Sequence, residues 1–360
     1  MSHGPAAGGD VLAAAETLAT VPPPHGRLLC VETSCDDTSA AVVDGGDIRS
    51  SIVSSQNELH AAFGGIVPEI ASRHHVELLD AVVAEALDAG STTWDELDGV
   101  AVTTRPGLIG ALLVGLSAAK AYAYARRLPL VPVNHLEGHL AAAYAAGART
   151  PFVCLIASGG HTLLAVVDEG VRLRVAGRTL DDAAGEAFDK GARLLGLGYP
   201  GGAELDRLAR DGDPAYVRFP RAVPRGSDLS FSGLKTALLY DLRERSAEEV
   251  ETHRADIAAS YQAAIVRQLV EKTVRCAQAE GARRVALAGG VAANEGLRRA
   301  LAAACAQHDL ELFLPDRSLC TDNAAMIGLA AAYLPAIPWP AFLPLDAQAS
   351  SGLPAGHRAR

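Results

Sequence analysis

The chain has 360 residues, 49% of them hydrophobic and 21% charged, a length and balance that suit a packed enzyme of two lobes better than a single core. Its formal charge of −10 excludes a broadly basic surface of the kind that grips nucleic acid unaided, so any RNA contact must come from local patches or from partner proteins. Six cysteines (Cys30, Cys35, Cys154, Cys276, Cys305 and Cys320) form no CxxC pair, which argues against a zinc knuckle or a disulfide framework and for buried or active-site thiols in a reducing cytoplasm.

In chain order, the first basic residue is Arg27, so the positive head of a signal peptide is missing. Val11 to Thr20 is alanine-rich, short and interrupted by Glu16, and Pro22-Pro23-Pro24 follows; residues 1–27 read as a mobile extension. Cys30 to Gly46 (CVETSCDDTSAAVVDGG) is an apolar strand, a polar turn and a second strand. Its turn carries Glu32, Thr33, Ser34, Asp36 and Asp37, a density of polar groups behind a buried strand that favours a site. Pro68 to Ala89 reads as a helix, Val100 to Thr103 as a strand and Leu108 to Leu128 as a long apolar helix. The most apolar stretch, Gly107 to Ala119, is cut by Lys120 and falls short of a membrane span, so it reads as a buried helix.

Leu130 to Val133 is a short strand leading into Asn134-His135-Leu136-Glu137-Gly138-His139. Histidines four residues apart share one face of a helix, one turn apart, and make a ready pair of metal ligands. In zinc metalloproteases the glutamate directly follows the first histidine, roughly 80° from the midline of the pair at about 100° per residue. Glu137 stands one place later, roughly 180° from that midline. It should point away from the metal, leaving a metal site without the protease base.

Cys154 to Gly170 (CLIASGGHTLLAVVDEG) superposes without a gap on the first hairpin: Cys30, Ser34, Thr38, Ala41, Val42, Val43, Asp44 and Gly46 meet Cys154, Ser158, Thr162, Ala165, Val166, Val167, Asp168 and Gly170. Two lobes of similar topology, each opening with a hairpin, follow from that repeat. Ser158-Gly159-Gly160 offers unobstructed backbone N–H groups suited to a phosphate, and reads equally as an ordinary tight turn. Asp182 to Leu195, Ala203 to Ala209, Leu234 to Arg243 and Asp256 to Ala279 look helical, and Arg284 to Ala288 is a strand. Gly196 to Gly201 matches GxGxxG but follows a helix, so it is no dinucleotide fingerprint, and no GxxxxGK[ST] P-loop occurs.

Arg218, Arg221 and Arg225, with Lys235 beyond, form the best local candidate for RNA contacts and read also as a solvated loop. Gly289-Gly290-Val291-Ala292-Ala293-Asn294 joins the last strand to a helix from about Ala292, where backbone can approach a base or sugar and Asn294 can hydrogen-bond it. Asp322 precedes an apolar helix, Ala324 to Leu334; it reads either as that helix's cap or as a third, carboxylate ligand beside the two histidines. The tail from Pro338 is proline-rich and irregular.

VETSCDDTSAAVV, GGIVPEIASRHH, RPGLIGALLVG, VNHLEGHLAAAY, SGGHT, DDAAGEAFDKGARLLGLGYPGG, FSGLKTA, GGVAAN and TDNAAMIG, in this order from about Leu28 to about Leu334, resemble the universal tRNA threonylcarbamoyl-adenosine transferase family, the TsaD proteins once labelled glycoproteases. Small departures, Arg105 before Pro106-Gly107 and Ala111 after Gly110, leave the polar motifs intact. The resemblance implies an α/β, actin/Hsp70/sugar-kinase-like (ASKHA) fold of two ribonuclease-H-like lobes around a nucleotide cleft. We place the first lobe at 28–150, with a helix over about 322–335 packing back on it, the second at 151–321 and an irregular tail at 338–360.

It further implies transfer of a threonylcarbamoyl group from threonylcarbamoyl-AMP to N6 of the adenosine 3′ of the anticodon, in tRNAs reading codons that begin with A. Carried over by motif, His135, His139 and Asp322 would bind one divalent metal, by resemblance iron, though zinc fits the donors. Ile156, Ala157, Ser158, Gly159 and Gly160, with Asp189, Gly202, Asp206 and Asn294, would bind the adenylate, Asp189 and Asp206 taking ribose hydroxyls. The Ser158–Gly160 backbone would hold the departing phosphate, and Asp36 and His161 are candidate bases by location. In bacterial relatives an inactive paralogue (TsaB-like) and a small P-loop ATPase (TsaE-like) assist, so both are expected partners beside the tRNA anticodon stem-loop, in the cytoplasm and with no membrane. Competing readings are a zinc metalloprotease, disfavoured by Glu137, an ATP-dependent kinase on the same fold, and a non-catalytic scaffold, which would have no reason to keep both histidines and Asp322.

Overall fold

The computed structural model describes Val21, Pro23 and residues 26–353, so most of the extension expected over 1–27 and the end of the tail lie outside the described residues. The first lobe is a five-stranded sheet, β3-β2-β1-β4-β5. Its strands are β1 (Arg27–Glu32), β2 (Asp37–Asp44), β3 (Asp47–Ser55), β4 (Gly99–Arg105) and β5 (Leu130–Asn134). The second lobe repeats the order as β8-β7-β6-β9-β10, with β6 (Phe152–Ala157), β7 (Thr162–Glu169), β8 (Arg172–Arg178), β9 (Arg284–Ala288) and β10 (Glu311–Phe313). In each lobe the opening hairpin is antiparallel and its first strand runs parallel to the strand that follows a helical excursion.

The repeat seen in the sequence carries through to register. Cys30 pairs with Ala41 across the first hairpin and with Ala101 on β4; Cys154 pairs with Ala165 across the second and with Ala286 on β9. Each hairpin gains a third strand that the sequence reading leaves out, β3 and β8, and the second sheet also gains β10 at its other edge. β3 is rich in serine and mostly exposed, an edge strand without the apolar alternation that signals a half-buried one. β10 is only three residues long and lacks a buried side chain.

The helices are α1 (Asn57–Ala61), α2 (Pro68–Ala89), α3 (Ile109–Arg126) and α4 (His135–Ala145) in the first half. α5 (Ala184–Leu194), α6 (Gly202–Ala209), α7 (Ser232–Arg243), α8 (Ala247–Thr252), α9 (Arg254–Ala279), α10 (Glu295–Gln307) and α11 (Ala324–Ala331) follow. Among the described residues no helix is long and apolar enough to cross a membrane. α8 was not expected: it buries nothing, but Ser246 and Glu249 form a reciprocal capping box that starts it. α10 begins three residues later than expected because Gly290–Ala293 tightens into a 3₁₀ turn and Asn294 becomes the cap, accepting from Leu297 N. α11 stops short of Leu334, whose following Pro335 disfavours helical geometry there.

α4 and α11 lie between the two sheets in one shared core with Cys30, Ala41, Val43, Cys154, Ile156 and Ala165. Their approach depends on two glycines. A Cβ at Gly328 would come within 2.5 Å of Val43 and 2.6 Å of Cys30 Sγ, and one at Gly138 within 2.7 Å of Ile327. The described part of the tail, to Leu353, has no regular element, yet it is laced to the first lobe. Leu130 and Ile337 exchange backbone hydrogen bonds of 3.0 and 2.8 Å, Gln348 N donates to Thr104 O, and Asn134 Nδ2 donates to Ser351 O. Phe342 is fully buried there, a burial that contributes about 2–3 kcal/mol.

Candidate metal centre and its cleft

β5 delivers the chain directly into α4, which packs between the two sheets. Asn134 caps the helix, its Oδ1 accepting from Leu136 N at 3.0 Å, while Glu137 Oε2 accepts from Asn134 N at 3.3 Å. Glu137 therefore folds back onto the helix start and serves the cap. Burial raises its carboxyl above the ordinary value.

His135, His139 and Asp322 are brought together from both ends of the chain, with one ligand atom of each lying within 4.8 Å of the others. His135 Nε2 is 3.5 Å and His139 Nε2 3.3 Å from Asp322 Oδ1, and the ring centroids are 4.5 Å apart. Asp322 is not the cap of α11. Asn323 takes that role, accepting from Met326 N at 2.9 Å, which leaves the Asp322 carboxylate to the imidazoles.

Behind His135 stands a carboxylate to which the sequence reading gave no specific role. Glu32, buried at the end of β1, has Oε2 2.9 Å from His135 Nδ1, with Ser34 Oγ at 3.1 Å from the same nitrogen. Thr103 Oγ1 and Ser34 N donate to the Glu32 carboxylate, fixing its position. A protonated Nδ1 facing Glu32 leaves the Nε2 lone pair directed at Asp322, the arrangement metal-binding histidines use.

Electrostatics follow from these contacts. Burial alone would raise Glu32 and Asp322, yet His135 holds Glu32 below its ordinary value, and His135 with His139 holds Asp322 well below. Against its own burial, His135 is raised well above the usual imidazole range by Asp322 and Glu32. Burial and the neighbouring His135 lower His139.

The residues fit a divalent cation. His139 is fully buried; its Nδ1 has no partner, and its Nε2 faces only Asp322 Oδ1, at 3.3 Å and without hydrogen-bond geometry. An imidazole left so costs on the order of 1–3 kcal/mol unless something else satisfies it. Two imidazoles and a carboxylate are a suitable donor set for zinc or iron.

Near this group is the β6–β7 turn, whose His161 feels the charges of His135, His139 and Asp322. Ser158 N donates to His161 O at 2.7 Å and Ser158 Oγ accepts from His161 N at 3.1 Å, so the serine cements its own turn. Gly159 and Gly160 are exposed, and a Cβ on either would meet nothing within 4 Å, so their backbone is open to a ligand. α5 starts against the turn, Gly185 N donating to Ser158 O, and adds the positive end of its dipole. Ile156 and Ala157 end β6 just before it. Gly289 (φ +87°) lies so close that a Cβ would sit 2.4 Å from Ala157 O, which requires glycine there.

His161 is lowered to about 4 by burial and by His135 and His139, so it is neutral near pH 7. Burial raises both Asp36 and Asp189, and the Asp36 charge adds slightly to the rise of Asp189. The remaining expected adenylate residues form the floor of the second lobe. Asp189 Oδ1 accepts from Gly201 N and Gly202 N at 2.9 and 3.0 Å, holding the start of α6. Asp206 is buried and accepts from Gln262 Nε2, Glu295 N and Gly296 N. Asn294 Nδ2 donates to Gln262 Oε1 at 2.8 Å. One network thus ties α6, α9 and α10, and the polar atoms of Asp206 and Asn294 already have protein partners.

The family model described as TsaD, tRNA N6-adenosine threonylcarbamoyltransferase, matches residues 47–329. A protein of that description from Geobacter sulfurreducens is 55% identical over 310 residues, 85% of this chain and 91% of the relative. Another from Moorella thermoacetica is 52% identical over 312 residues, covering 85% and 91%. Among solved structures, HypF of T. kodakarensis matches with a TM-score of 0.59 at 15% identity, over 88% of this chain and 48% of that one. Component A of the Acidaminococcus fermentans (R)-2-hydroxyglutaryl-CoA dehydratase matches with 0.50 at 14%, over 86% and 96%. These structural likenesses speak to fold alone, and they bear out the ASKHA-type α/β fold.

Proposed function

Since the chain belongs to the TsaD family of tRNA N6-adenosine threonylcarbamoyltransferases, we propose that its cleft transfers a threonylcarbamoyl group from threonylcarbamoyl-AMP to N6 of the adenosine 3′ of the anticodon, in tRNAs reading codons that begin with A. The observation that carries this reading is the His135, His139 and Asp322 group together with the open Ser158–Gly160 turn, whose neighbour His161 feels the charge of that group. A new bond forms from N6 to the carbamoyl carbon, the bond from that carbon to the phosphate oxygen breaks, AMP departs, and N6 gives up a proton. The amine is a poor nucleophile because its lone pair is delocalised into the ring, so activation falls mainly on the carbonyl side.

His135, His139 and Asp322 would hold one divalent cation, iron in our reading with zinc fitting the same donors, which when bound supplies a Lewis-acid charge to the donor's oxygens. Glu32 orients His135. Backbone N–H groups of Gly159 and Gly160 and the start of α5 favour the phosphate that leaves. Ile156, Ala157, Asp189, Gly202, Asp206 and Asn294 would form the nucleoside side of the pocket. Asp189, with only one oxygen engaged by Gly201 and Gly202, is better placed than Asp206 to take a ribose hydroxyl. His161, neutral near pH 7, and Asp36, raised by burial, are the groups able to take the N6 proton.

We place the enzyme in the cytoplasm with its tRNA, assisted by an inactive paralogue of the TsaB kind and a small P-loop ATPase of the TsaE kind. The test supplies labelled threonylcarbamoyl-AMP and an anticodon stem-loop, with and without those partners. Label on the adenosine supports the reading. Peptide cleavage that survives rigorous purification, or ADP formation dependent on a small hydroxyl substrate, with no label on RNA, contradicts it.

A further inference from the structure

Lys272, buried on α9, donates to Pro224 O at 2.7 Å and Gly226 O at 2.6 Å in the loop between α6 and α7. One turn earlier Gln268 donates to Ala222 O at 3.2 Å and accepts from Ser230 N at 3.0 Å. Phe219 is buried against Tyr261, ring centroids 5.5 Å apart. At the far end Asp181 accepts from Ser230 Oγ, Phe231 N and Ser232. This loop has no regular element, yet it is pinned along its length.

Between the pins, cations face outward. Arg218, Arg221, Arg225 and, at the start of α7, Lys235 are all exposed, with Val223 76% exposed among them. Arg267 on α9 lines the same small cavity as Arg221. The acids nearest the loop are already engaged: Glu271 pairs with Arg221, half-buried Asp228 accepts from Arg178 N, and Asp181 accepts from Ser230, Phe231 and Ser232. A strongly acidic chain thus carries one rigid, locally basic loop. Its anchor Asp181 lies just ahead of α5, whose start touches the Ser158 turn, so the loop is tied to the segment that leads into that turn.

We propose that this loop is the surface that holds the phosphate backbone of the RNA substrate; the proposal rests on the transfer reading above. Guanidinium groups match phosphate oxygens in fixed geometry, and a loop ordered before binding loses little entropy on docking. Phosphate neutralisation also gives a salt dependence that a merely structural role lacks, with a log–log slope of about 0.7–0.9 per contact.

The test measures binding of a fluorescent anticodon stem-loop to the full chain across a salt series, with threonylcarbamoyl-AMP binding measured in parallel. A combined Arg218→Gln, Arg221→Gln, Arg225→Gln variant should bind RNA on the order of 10–100-fold more weakly, with the slope reduced by about 2–3. Its binding of threonylcarbamoyl-AMP should be unchanged. Glu271→Gln, which frees Arg221, should tighten RNA binding and steepen the slope. Unchanged RNA affinity and slope in the triple variant overturn the proposal, also where transfer falls only with added partner proteins, which would make the loop a protein contact. An unvaried chain that binds neither stem-loop nor threonylcarbamoyl-AMP overturns the transfer reading and the proposal with it.

Discussion

Glu32 Oε2 lies 2.9 Å from His135 Nδ1, although the two residues are 103 positions apart. The carboxylate at the end of β1 therefore decides which nitrogen of the first histidine faces Asp322. Glu32→Gln keeps the shape but replaces the charged acceptor. We expect metal affinity to fall roughly 10–100-fold with the fold intact, read by competition against a chelator of known affinity. Unaltered affinity would show that Glu32 does not orient the ligand.

His139 gives a prediction of opposite sign for stability and for metal binding. With Nδ1 buried and unpartnered and Nε2 meeting Asp322 without hydrogen-bond geometry, the imidazole is a burden to the metal-stripped protein. His139→Leu should therefore be neutral or stabilising by up to about 1–3 kcal/mol in chelator-treated samples, measured by denaturant unfolding. The same variant should lose the rise in Tm that a divalent cation gives the unvaried chain. Strong destabilisation of the stripped variant would mean that His139 is already satisfied.

Asp37 supplies the pH dependence. Burial pushes its carboxyl up to about 7, and its Oδ1 has no hydrogen-bond partner. Its folded value lies above its unfolded one, so its contribution to stability is fully present below about pH 4 and is lost as pH rises through about 7. Asp37→Asn removes that loss. Relative to the unvaried chain, chelator-treated Asp37→Asn should gain on the order of 1–3 kcal/mol between pH 5 and pH 8.5, a figure reduced for the partial exposure of the side chain. An identical difference at the two pH values would contradict the assignment.

Much of the fold was legible because apolar patterning repeats. The two cysteine-led hairpins align residue for residue, and Cys30 and Cys154 take equivalent partners in both sheets. Pro68 to Ala89 was legible to the residue because proline starts the helix and Gly90 follows it. β3 was not, since an exposed edge strand needs no apolar alternation. At the site, helical spacing gave His135 and His139 and the direction of Glu137. Glu32 was visible as one acid among several; its role needed the fold to bring β1 beside α4. Asp322 read either as the cap of the following helix or as a ligand, and it took the fold to show its neighbour Asn323 in the cap position. Likewise the engagement of Asp206 and Asn294 by Gln262 depends on the meeting of three helices distant in sequence.

The most direct measurement is single-turnover transfer from purified, labelled threonylcarbamoyl-AMP to an anticodon stem-loop by His135→Ala and Asp322→Ala. Both variants should retain folded far-ultraviolet spectra and lose transfer, by at least about 10³-fold, on the scale of removing a main stabiliser of transition-state charge. Transfer at the unvaried rate in either variant would contradict the role assigned to the His135, His139 and Asp322 centre.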